Sequence, residues 1–408
     1  MAEVAERDGL PRRAPRRLAL IGPSAPLRGG IAQYHDRLAA ALAARGHAVT
    51  RISFRRMYPG LLFPGRTQYE ASAASAPPRA GGDALAPPAA LLDSIGPRSW
   101  WRVAALAARS DVALFEWWHP FFAPALACIA TRLRRRGVPT IVLCHNLEPH
   151  EPMPGGALLA RLALGRAAGF IVQSSADAAR LRARYPGRPV TLMLHPAEAP
   201  AACAHAGTAE AGARRAACAA TFGAPPAARR ILFFGYVRAY KGLPTLIEAM
   251  PLLPADVQLV VAGEIYHHDA GHYRTLAGRL GVGDRVVLLD RFVASKDLAC
   301  CFGMADLVVL PYWSASQSGV APLAFVSGRA VVASAVGGLP DLIRPGETGL
   351  LVPPRDAPAL AAAVAQALEH AAQWGTAAAA AARGFSWDAA AAAVEELASA
   401  VSAPRPAC

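Results

Sequence analysis

The stretch LVVLPYWSASQSGVAPLAFVSGRAVVAS, residues 307–334, contains two short apolar runs separated by a loop and an apolar segment of helical length. The runs 307–310 and 331–334 are short and rich in valine, which predicts two buried strands. Residues 320–327 predict a helix between them, with Pro322 in the first turn, where a missing N–H costs little. A strand–helix–strand unit of this length predicts two parallel strands in one sheet.

The same alternation extends outward along most of the chain. Further strands are predicted in the second half at 231–234, 258–262 and 285–289, with helices at 243–252, 271–280, 295–303 and 356–369. In the first half, strands are predicted near 18–21, 48–53, 112–115, 140–143, 169–172 and 190–194, and helices follow most of them. The sequence therefore predicts an α/β protein with two doubly wound, Rossmann-like domains that face each other across a cleft. Ligands are expected at the carboxyl ends of the strands.

Composition shifts set the expected domain boundaries. Residues 1–198 form the N-terminal domain, and the Pro-, Gly- and Ala-rich segment 57–99 is expected to be a surface insertion with little regular structure. Residues 199–229 are an Ala-rich linker, and residues 230–384 form the C-terminal domain. Residues 385–408 are expected to form a final helix and tail that cross back to the N-terminal domain.

The positive charge is unevenly distributed. Residues 1–200 contain 26 basic and 13 acidic residues, whereas residues 201–408 contain 16 of each. A basic half attracts polyanions, but no nucleic-acid motif is present, so anionic lipid surfaces or phosphorylated substrates are the better candidates. The apolar segment 121–130, followed by TRLRRRG, could contact a membrane surface, or it could be a buried helix with a solvated basic end.

The remaining bulk features favour a cytoplasmic protein. Seven scattered cysteines without a CxxC motif predict a reducing compartment, with most of them serving as small core residues. The N-terminal stretch lacks the apolar run of a signal peptide, and no segment of about 18 apolar residues is present to span a membrane. We therefore expect a cytoplasmic protein, with peripheral contact at the inner face of the cell membrane as a further expectation.

Basic residues follow one predicted strand of the second half. Strand 231–234 ends at Gly235, and Arg238 and Lys241 follow within six residues. Lys241 is one of only two lysines, so it is less easily explained by the Arg-rich composition. A cationic pair at the end of a strand suits a diphosphate, although a solvated basic turn would look the same in the sequence.

The loop in the opening stretch is a second candidate anion site. Gln317, Ser318, Gly319 and Val320 lead into the apolar helix, and no acidic residue lies between Asp306 and Asp341. Backbone N–H groups at a helix start favour anions, whereas the alternative is a serine cap without a ligand. No phosphate-loop, HExxH or DxD motif is present, so we expect no metal and no cofactor.

The first half offers glycines and histidines after its strands. Gly29 and Gly30 lie at the first strand-to-helix turn, where the backbone can approach a ligand closely. His119 follows strand 112–115, and His145 follows strand 140–143. His150 and Glu151 lie on the same loop as His145. Each histidine could be structural or could face the cleft.

Together these motifs resemble the GT4-type retaining glycosyltransferases of GT-B architecture. The matching elements, in chain order, are Gly29-Gly30, His145, SSADAARL (174–181), LHP (194–196), Arg238/Lys241, ADLVVLP (305–311), VVASAVGGLPD (331–341) and GETGLLVPP (346–354). The resemblance implies transfer of a sugar from a nucleotide-diphosphate donor, with retention of configuration and without a metal.

The same resemblance assigns expected roles. His145, Arg238 and Lys241 are expected to be catalytic, and the donor is expected to contact Gly29, Gly30, Gly235, Arg238, Lys241, Gln317, Ser318, Gly319 and Val320. His119, His150 and Glu151 are expected to face the acceptor, a saccharide or lipid-linked saccharide of cell-surface polysaccharide or glycoconjugate biosynthesis. The alternative is a non-catalytic GT-B-fold subunit that binds carbohydrate or a partner protein.

The chain departs from the family at one point. The family usually has two glutamates eight residues apart, and their positions here are Ala315 and Leu323. An SQSG loop, 316–319, stands in place of the acidic one and resembles a subgroup of the family. Since Arg238 and Lys241 remain to stabilise a leaving diphosphate, we expect an altered donor choice and not an inactive protein.

Overall fold

The computed structural model describes residues 13–27, 29–59, 69, 85–147, 153–198, 209–225, 229–266 and 269–402. The predicted site residues His150 and Glu151 lie outside these ranges. The described chain forms two compact units. We call residues 13–194 together with 387–402 the N-terminal unit, and residues 195–386 the C-terminal unit.

The N-terminal unit contains a seven-stranded sheet in which all paired strands are parallel. Its strands are β1 (Arg17–Ile21), β2 (Ala48–Arg56), β3 (Ala89–Asp93), β4 (Val112–Trp117), β5 (Thr140–Cys144), β6 (Gly169–Val172) and β7 (Val190–Leu192). Their order in the sheet is β3-β2-β1-β4-β5-β6-β7. The central strands β4, β5 and β6 are buried along their whole length, which explains their continuous apolar runs.

Helices cover both faces of this sheet and bury one apolar cluster on each. The helices are α1 (Gly30–Ala44), α2 (Pro97–Ala107), α3 (Ala123–Arg134), α4 (Gly156–Leu164), α5 (Ser175–Arg184) and the last helix of the chain, α14 (Trp387–Ser402). α14 packs beside α1 on one face. Buried Arg45 there donates to both carboxylate oxygens of buried Glu395, at 2.7 and 3.0 Å.

The C-terminal unit contains a second parallel sheet of six strands. Its strands are β8 (Arg229–Phe234), β9 (Val257–Ala262), β10 (Val286–Leu289), β11 (Leu307–Leu310), β12 (Ala330–Ser334) and β13 (Gly349–Val352), in the order β10-β9-β8-β11-β12-β13. Its helices are α6 (Ala209–Thr221), α7 (Leu243–Ala249), α8 (Ala270–Arg279), α9 (Leu298–Gly303), α10 (Val320–Val326), α11 (Leu339–Leu342), α12 (Ala357–Glu369) and α13 (Ala371–Ala381).

The predicted fold class, two helix-covered parallel sheets, is confirmed. Each sheet has one point at which the strand order reverses. In the N-terminal unit it lies between β1 and β4, and in the C-terminal unit it lies between β8 and β11. Crevices form at the carboxyl ends of such strand pairs because the connections on the two sides run in opposite directions. These two ends are where site residues are expected.

Two predicted segments contain more regular structure than expected. Segment 57–99 is not an unstructured insertion at its end, because β3 pairs with β2 as the edge strand and α2 begins at Pro97. Segment 199–229 is not simply a linker, since it includes α6. Arg215 of α6 anchors that helix by donating to the Asp306 carboxylate and to the Met304 carbonyl.

Cysteine chemistry also differs from the expectation. Cys144 and Cys301 are buried free thiols, as small core residues would be. Cys218 of α6 and Cys300 of α9, however, form a disulfide. The expectation of a reducing compartment did not anticipate this pair, which links two helices of the C-terminal unit.

The apolar segment 121–130 is part of the core. Phe122, Leu126 and Ile129 are fully buried, and the helix ends in exposed Arg134, Arg135 and Arg136. Of the two interpretations of this segment, the buried helix with a basic end is the one observed. Among the described residues, no helix combines the length and apolarity needed to span a bilayer.

Candidate active site

Five residues at the carboxyl ends of β8 and β11 lie next to one another in space. They are Gly235, Lys241, Tyr312, Ser318 and Val320, and we call them the β8–β11 cluster. A Cβ atom built on Gly235 would lie 3.0 Å from Lys241 Nζ and 3.9 Å from Val320 Cγ2. Lys241 Nζ lies 5.5 Å from the centre of the Tyr312 ring. The Tyr312 side chain hydrogen-bonds with Ser318, whose Oγ accepts from Val320 N–H at 3.2 Å. The fold thus brings together residues that are 85 positions apart, from 235 to 320.

Lys241 and Arg238 supply positive charge at this edge of the sheet. Burial, together with the nearby charge of Arg238, lowers the pKa of Lys241 to about 8. The Arg238 guanidinium lies 5.5 Å from the centre of the Tyr266 ring. Among the described residues, no acidic side chain contributes to the pKa of Lys241. A buried ammonium without a counter-charge gains stability from a bound anion, so the cluster has the electrostatics of a phosphate site.

The SQSG loop lies beside these cations. Ser318 is buried and caps the first N–H of α10 through its side chain, so this amide is occupied within the protein. Oε1 of Gln317 is buried and has no hydrogen-bond partner among the described residues. An unsatisfied buried carbonyl oxygen is costly, and a hydroxyl or N–H donor on a ligand would relieve that cost.

Gly319 is constrained by His195, a residue of the LHP motif to which the sequence analysis gave no role. A Cβ atom built on Gly319 would lie 3.2 Å from the His195 ring. His195 Nδ1 lies 2.9 Å from the Pro196 carbonyl oxygen, which orients the ring. The LHP motif of residues 194–196 therefore packs its histidine directly against the SQSG loop. The position of His195 within this short motif was the signal that the sequence offered.

In the N-terminal unit, Gly29 and Gly30 open α1 as predicted from the sequence. Gly29 has φ 126°, a backbone conformation that residues with a side chain rarely adopt. A Cβ atom on either glycine would meet nothing within 4 Å. The turn is thus open to an approaching group, and the need for glycine at position 29 comes from its backbone conformation.

His145 follows β5 and is buried, with 3% of its surface exposed. Its backbone N–H donates to the Trp117 carbonyl at 2.8 Å. Its ring packs edge-on against the Tyr34 ring, with 4.9 Å between the ring centres. His145 Nε2 lies 3.7 Å from Glu116 Oε2. The carboxylate is shared with His35, whose Nδ1 lies 3.3 Å from Glu116 Oε1.

Glu116 and His35 were not predicted as site residues. Glu116 is the one charged residue in the otherwise apolar strand VALFEW, and an acid in a fully buried strand is a usable signal. His35 occupies the buried stripe of α1, three positions before Leu38 and seven before Leu42. Glu116 lies near the carboxyl end of β4, and its contact with His35 places both side chains at the β1/β4 end of the sheet.

His119 has a local structural role. Its Nδ1 accepts a hydrogen bond from Phe121 N–H at 3.1 Å and caps the short 3₁₀ turn Pro120–Phe122. The predicted contact of His119 with an acceptor remains a prediction. The described residues contain no group of three His, Cys, Asp or Glu side chains arranged to hold a metal ion.

Comparison with protein families assigns both halves of the chain. Residues 29–197 match the family described as glycosyl transferase 4-like domain, and residues 228–370 match the family described as glycosyl transferases group 1. Together the two ranges cover about three-quarters of the chain. Both domains belong to glycosyltransferase families of the GT4 type.

Curated relatives of this glycosyltransferase share its sequence in part. A D-inositol 3-phosphate glycosyltransferase of Mycolicibacterium gilvum is 39% identical over 142 residues, which are 34% of this chain and 31% of the relative. The protein of the same name from Xylanimonas cellulosilytica is 35% identical over 198 residues, 47% of each chain. The matched region spans less than half of either relative's length.

Solved structures show that this glycosyltransferase has the GT-B fold. Sucrose-phosphate synthase from Thermosynechococcus elongatus superposes with a TM-score of 0.65 at 23% identity, covering 94% of this chain and 98% of that one. Anabaena Alr3699/HepE in complex with UDP gives a TM-score of 0.68 at 16% identity, covering 94% and 100%. A glycosyltransferase from Rickettsia africae gives 0.71 at 16% identity, covering 95% and 98%.

Proposed function

We propose that this glycosyltransferase moves a sugar from a nucleoside diphosphate donor to a hydroxyl acceptor, with retention of anomeric configuration and without a metal ion. The observation that carries the proposal is the half-buried cationic pair Arg238 and Lys241 at the β8/β11 end of the sheet, where no acidic side chain among the described residues acts on Lys241. Such a pair matches the charge of a diphosphate. The neighbour Alr3699/HepE, which was solved with UDP, supports the same class of ligand.

In the proposed reaction, the acceptor oxygen forms its bond to the anomeric carbon on the face from which the diphosphate departs. The bond from that carbon to the phosphate oxygen breaks, and the leaving oxygen takes the proton of the acceptor hydroxyl. Negative charge grows on the diphosphate during this step. Arg238 and Lys241 stabilise that charge. Removing one group of this kind lowers the rate about a hundred- to a thousand-fold.

The SQSG loop is proposed to recognise the donor through neutral groups. Gln317 offers a buried carbonyl oxygen that no described residue contacts as a donor, so it can accept a hydrogen bond from a sugar or ribose hydroxyl. Two acids of the family are absent at Ala315 and Leu323. A neutral loop removes charge-assisted bonds of about 1.5–3 kcal/mol each and shifts the donor preference.

For the acceptor, we propose a saccharide or lipid-linked saccharide of cell-surface polysaccharide or glycoconjugate biosynthesis. A phosphorylated polyol is the second candidate. It is favoured by the names of the curated relatives and by an open cleft in the N-terminal unit that is lined by Leu147, Arg180, Ala183 and Arg184. Two arginines at one cleft favour a substrate with negative charge.

Substitution of Lys241 tests the donor site. UDP is expected to raise the melting temperature of the wild type but not of Lys241→Ala, and sugar transfer is expected to fall at least about a hundred-fold in that variant. Lys296→Ala is the matched control, because Lys296 is the only other lysine and is exposed. Near-normal transfer by Lys241→Ala would remove this residue from the proposed mechanism.

The non-catalytic alternative predicts a different result. A GT-B-fold subunit that only binds carbohydrate would show no sugar release from any nucleotide sugar in a panel. Its melting temperature would rise with saccharides and stay unchanged with nucleotides. Release of sugar together with stabilisation by UDP would exclude this alternative.

We also propose peripheral contact with anionic membrane through the N-terminal unit. Since most apolar side chains of segment 121–130 are buried, this segment does not form the contact. Exposed Trp101 of α2 stacks on Arg132 of α3, with the guanidinium carbon 4.2 Å from the ring centre. Exposed Leu158 and Leu162 lie on α4, which packs against α3. Apolar residues among arginines match the chemistry of an anionic lipid surface.

A further inference from the structure

A buried carboxylate lies between two imidazoles at the β1/β4 end of the first sheet. The side chains of Glu116, His35 and His145 are 1%, 0% and 2% exposed. They come from three elements, namely the end of β4, the middle of α1 and the residue after β5. Nothing in the donor site described above uses Glu116 or His35.

The carboxylate is ionised in this setting because of the histidines. Burial by itself would raise the pKa of Glu116, but the adjacent His35 and His145 outweigh that effect and hold the pKa below its ordinary value. Bringing a carboxylate into the interior is costly unless it is paired or hydrogen-bonded. Glu116 is therefore stabilised by the two imidazoles, whose nitrogens lie 3.3 Å (His35) and 3.7 Å (His145) from its oxygens.

The remaining titratable neighbours stay neutral near physiological pH. Burial, and then the charge of Glu116, raises the pKa of Tyr34, whose ring packs against His145. Burial also raises the pKa of the Cys144 thiol next to His145 in the chain.

The surroundings restrict movement of the carboxylate. A Cβ atom built on Gly22, which follows β1, would lie 2.5 Å from Glu116 Oε2 and 2.8 Å from His35 Nδ1. Glycine at this position lets the carboxylate and the imidazole lie directly against the backbone. One ring nitrogen of His35 faces Glu116 Oε1, and Oε2 is directed towards His145 Nε2.

We propose that Glu116 is a positioning residue for His145. It accepts a hydrogen bond from Nε2–H and so leaves Nδ1 as a hydrogen-bond acceptor for a substrate hydroxyl. The identity of that hydroxyl rests on the proposed function, in which His145 contacts the transferred sugar. The 3.7 Å separation closes to a hydrogen bond when substrate fixes the ring, since such contacts are often long in the free protein.

His35 holds the second oxygen of the carboxylate in this arrangement. With Nδ1 3.3 Å from Oε1, it restrains rotation of the carboxyl group and keeps Oε2 aimed at His145. Partners of this kind, one step removed from substrate, fix the tautomer and the ring plane of a working histidine. The geometry therefore assigns His35 to support Glu116 and not to contact substrate itself.

The tautomer of His145 is measurable without any substrate. In the wild type labelled with ¹⁵N-histidine, the imidazole signals assigned by their loss in His145→Gln are expected to show the neutral Nε2–H form. In Glu116→Gln the amide can donate to Nε2, so a shift to the Nδ1–H form is expected. A wild-type spectrum with the Nδ1–H form would overturn the proposal, and this measurement needs no folded variant of Glu116.

Kinetics provide the second readout. Glu116→Gln is expected to lower kcat about ten- to a hundred-fold with a smaller change in KM. Cys144→Ala, which removes a buried neighbour but none of these hydrogen bonds, reports the cost of local repacking alone. An unchanged tautomer with unchanged kcat in Glu116→Gln would also overturn the proposal. If no nucleotide sugar is turned over by the wild type, the proposed function fails while the spectrum still decides the role of Glu116.

Discussion

At the scale of single residues, the proposed donor site depends on the charge state of Lys241. Its ammonium is buried near Arg238, and both features lower its pKa to about 8. A bound diphosphate supplies the missing counter-charge and raises that pKa again. Binding therefore takes up a proton once the pH exceeds the pKa of the free protein, and affinity falls as the pH rises.

This linkage gives a prediction for UDP binding. Well below pH 8 both the free and the bound protein carry the proton, so affinity is constant, and at pH 9 it is expected to be about tenfold weaker than at that plateau. Lys241→Arg, which stays charged, is expected to bind with little change over the same range. Isothermal titration calorimetry from pH 7 to 9 measures both. A wild-type affinity that stays level to pH 9 would show that Lys241 is not the titrating contact.

Single residues also show where sequence reasoning reaches its limit. Lys241 and Gly235 were predicted together because they follow one strand within seven residues. The pairing of Glu116 with His35 and His145 was not predicted, since it joins β4, α1 and the loop after β5 across 110 positions. Such contacts depend on the order of strands in the sheet. The order β1-β4-β5 cannot be predicted from the hydrophobic periodicity of single segments.

At the scale of elements, apolar strands rich in β-branched residues were predictable, whereas strands with few β-branched residues were not. The strands LVVL (β11) and AVVAS (β12) are fully buried and match the predicted runs closely. β3, with the sequence AALLD, and β13, with GLLV, were missed because each is short and weakly β-forming. Helices α6 and α13 were missed because alanine carries no amphipathic pattern.

The last helix provides a test at this scale. Glu395 of α14 bonds Arg45 through both oxygens and lies 2.8 Å from His47 Nε2. Removing one partner of a buried ion pair costs about 3–5 kcal/mol, and exposed Asp388 compensates only in part. Glu395→Gln is therefore expected to lose hydrogen-exchange protection of the α14 amides, measured by mass spectrometry.

The control and the acid dependence sharpen that test. Glu396→Gln changes the exposed neighbour and is expected to leave α14 protected. Burial by itself raises the pKa of Glu395, but the opposite effect of Arg45 and His47 is larger. The pKa of Glu395 therefore lies below its ordinary value. This stabilisation is present at neutral pH and is lost as the pH falls through the folded-state pKa. Equal protection in Glu395→Gln and wild type would show that packing alone holds the helix.

At the scale of the whole molecule, charge is divided unevenly between the two halves of the chain. The second half has no net charge and contains the β8–β11 cluster, whereas the first half carries the entire excess of 13 positive charges. Composition alone gives this division of charge. It could not predict which apolar residues are exposed, because burial of segment 121–130 depends on α3 packing between α2 and α4.

Membrane contact is the prediction that belongs to this scale. Each basic residue near an anionic bilayer contributes about 1 kcal/mol, and Trp101, Leu158 and Leu162 add exposed apolar surface beside the arginines. At low salt, the protein is expected to float with vesicles that contain phosphatidylglycerol and to remain in solution with neutral phosphatidylcholine vesicles. High salt is expected to release it, because screening weakens the electrostatic part.

Substitutions separate this surface from a general effect of charge. The triple variant Trp101→Ala, Leu158→Ala, Leu162→Ala keeps every arginine and is expected to reduce flotation at least about tenfold, because it removes the apolar side chains that enter the lipid interface. Phe292→Ala is the matched control, since Phe292 is also exposed but lies in the C-terminal unit. If the triple variant floats as well as the wild type, the arginines alone account for binding and the apolar residues do not form the contact. If the wild type stays in solution with anionic vesicles at low salt, the basic half serves an anionic substrate and not a membrane.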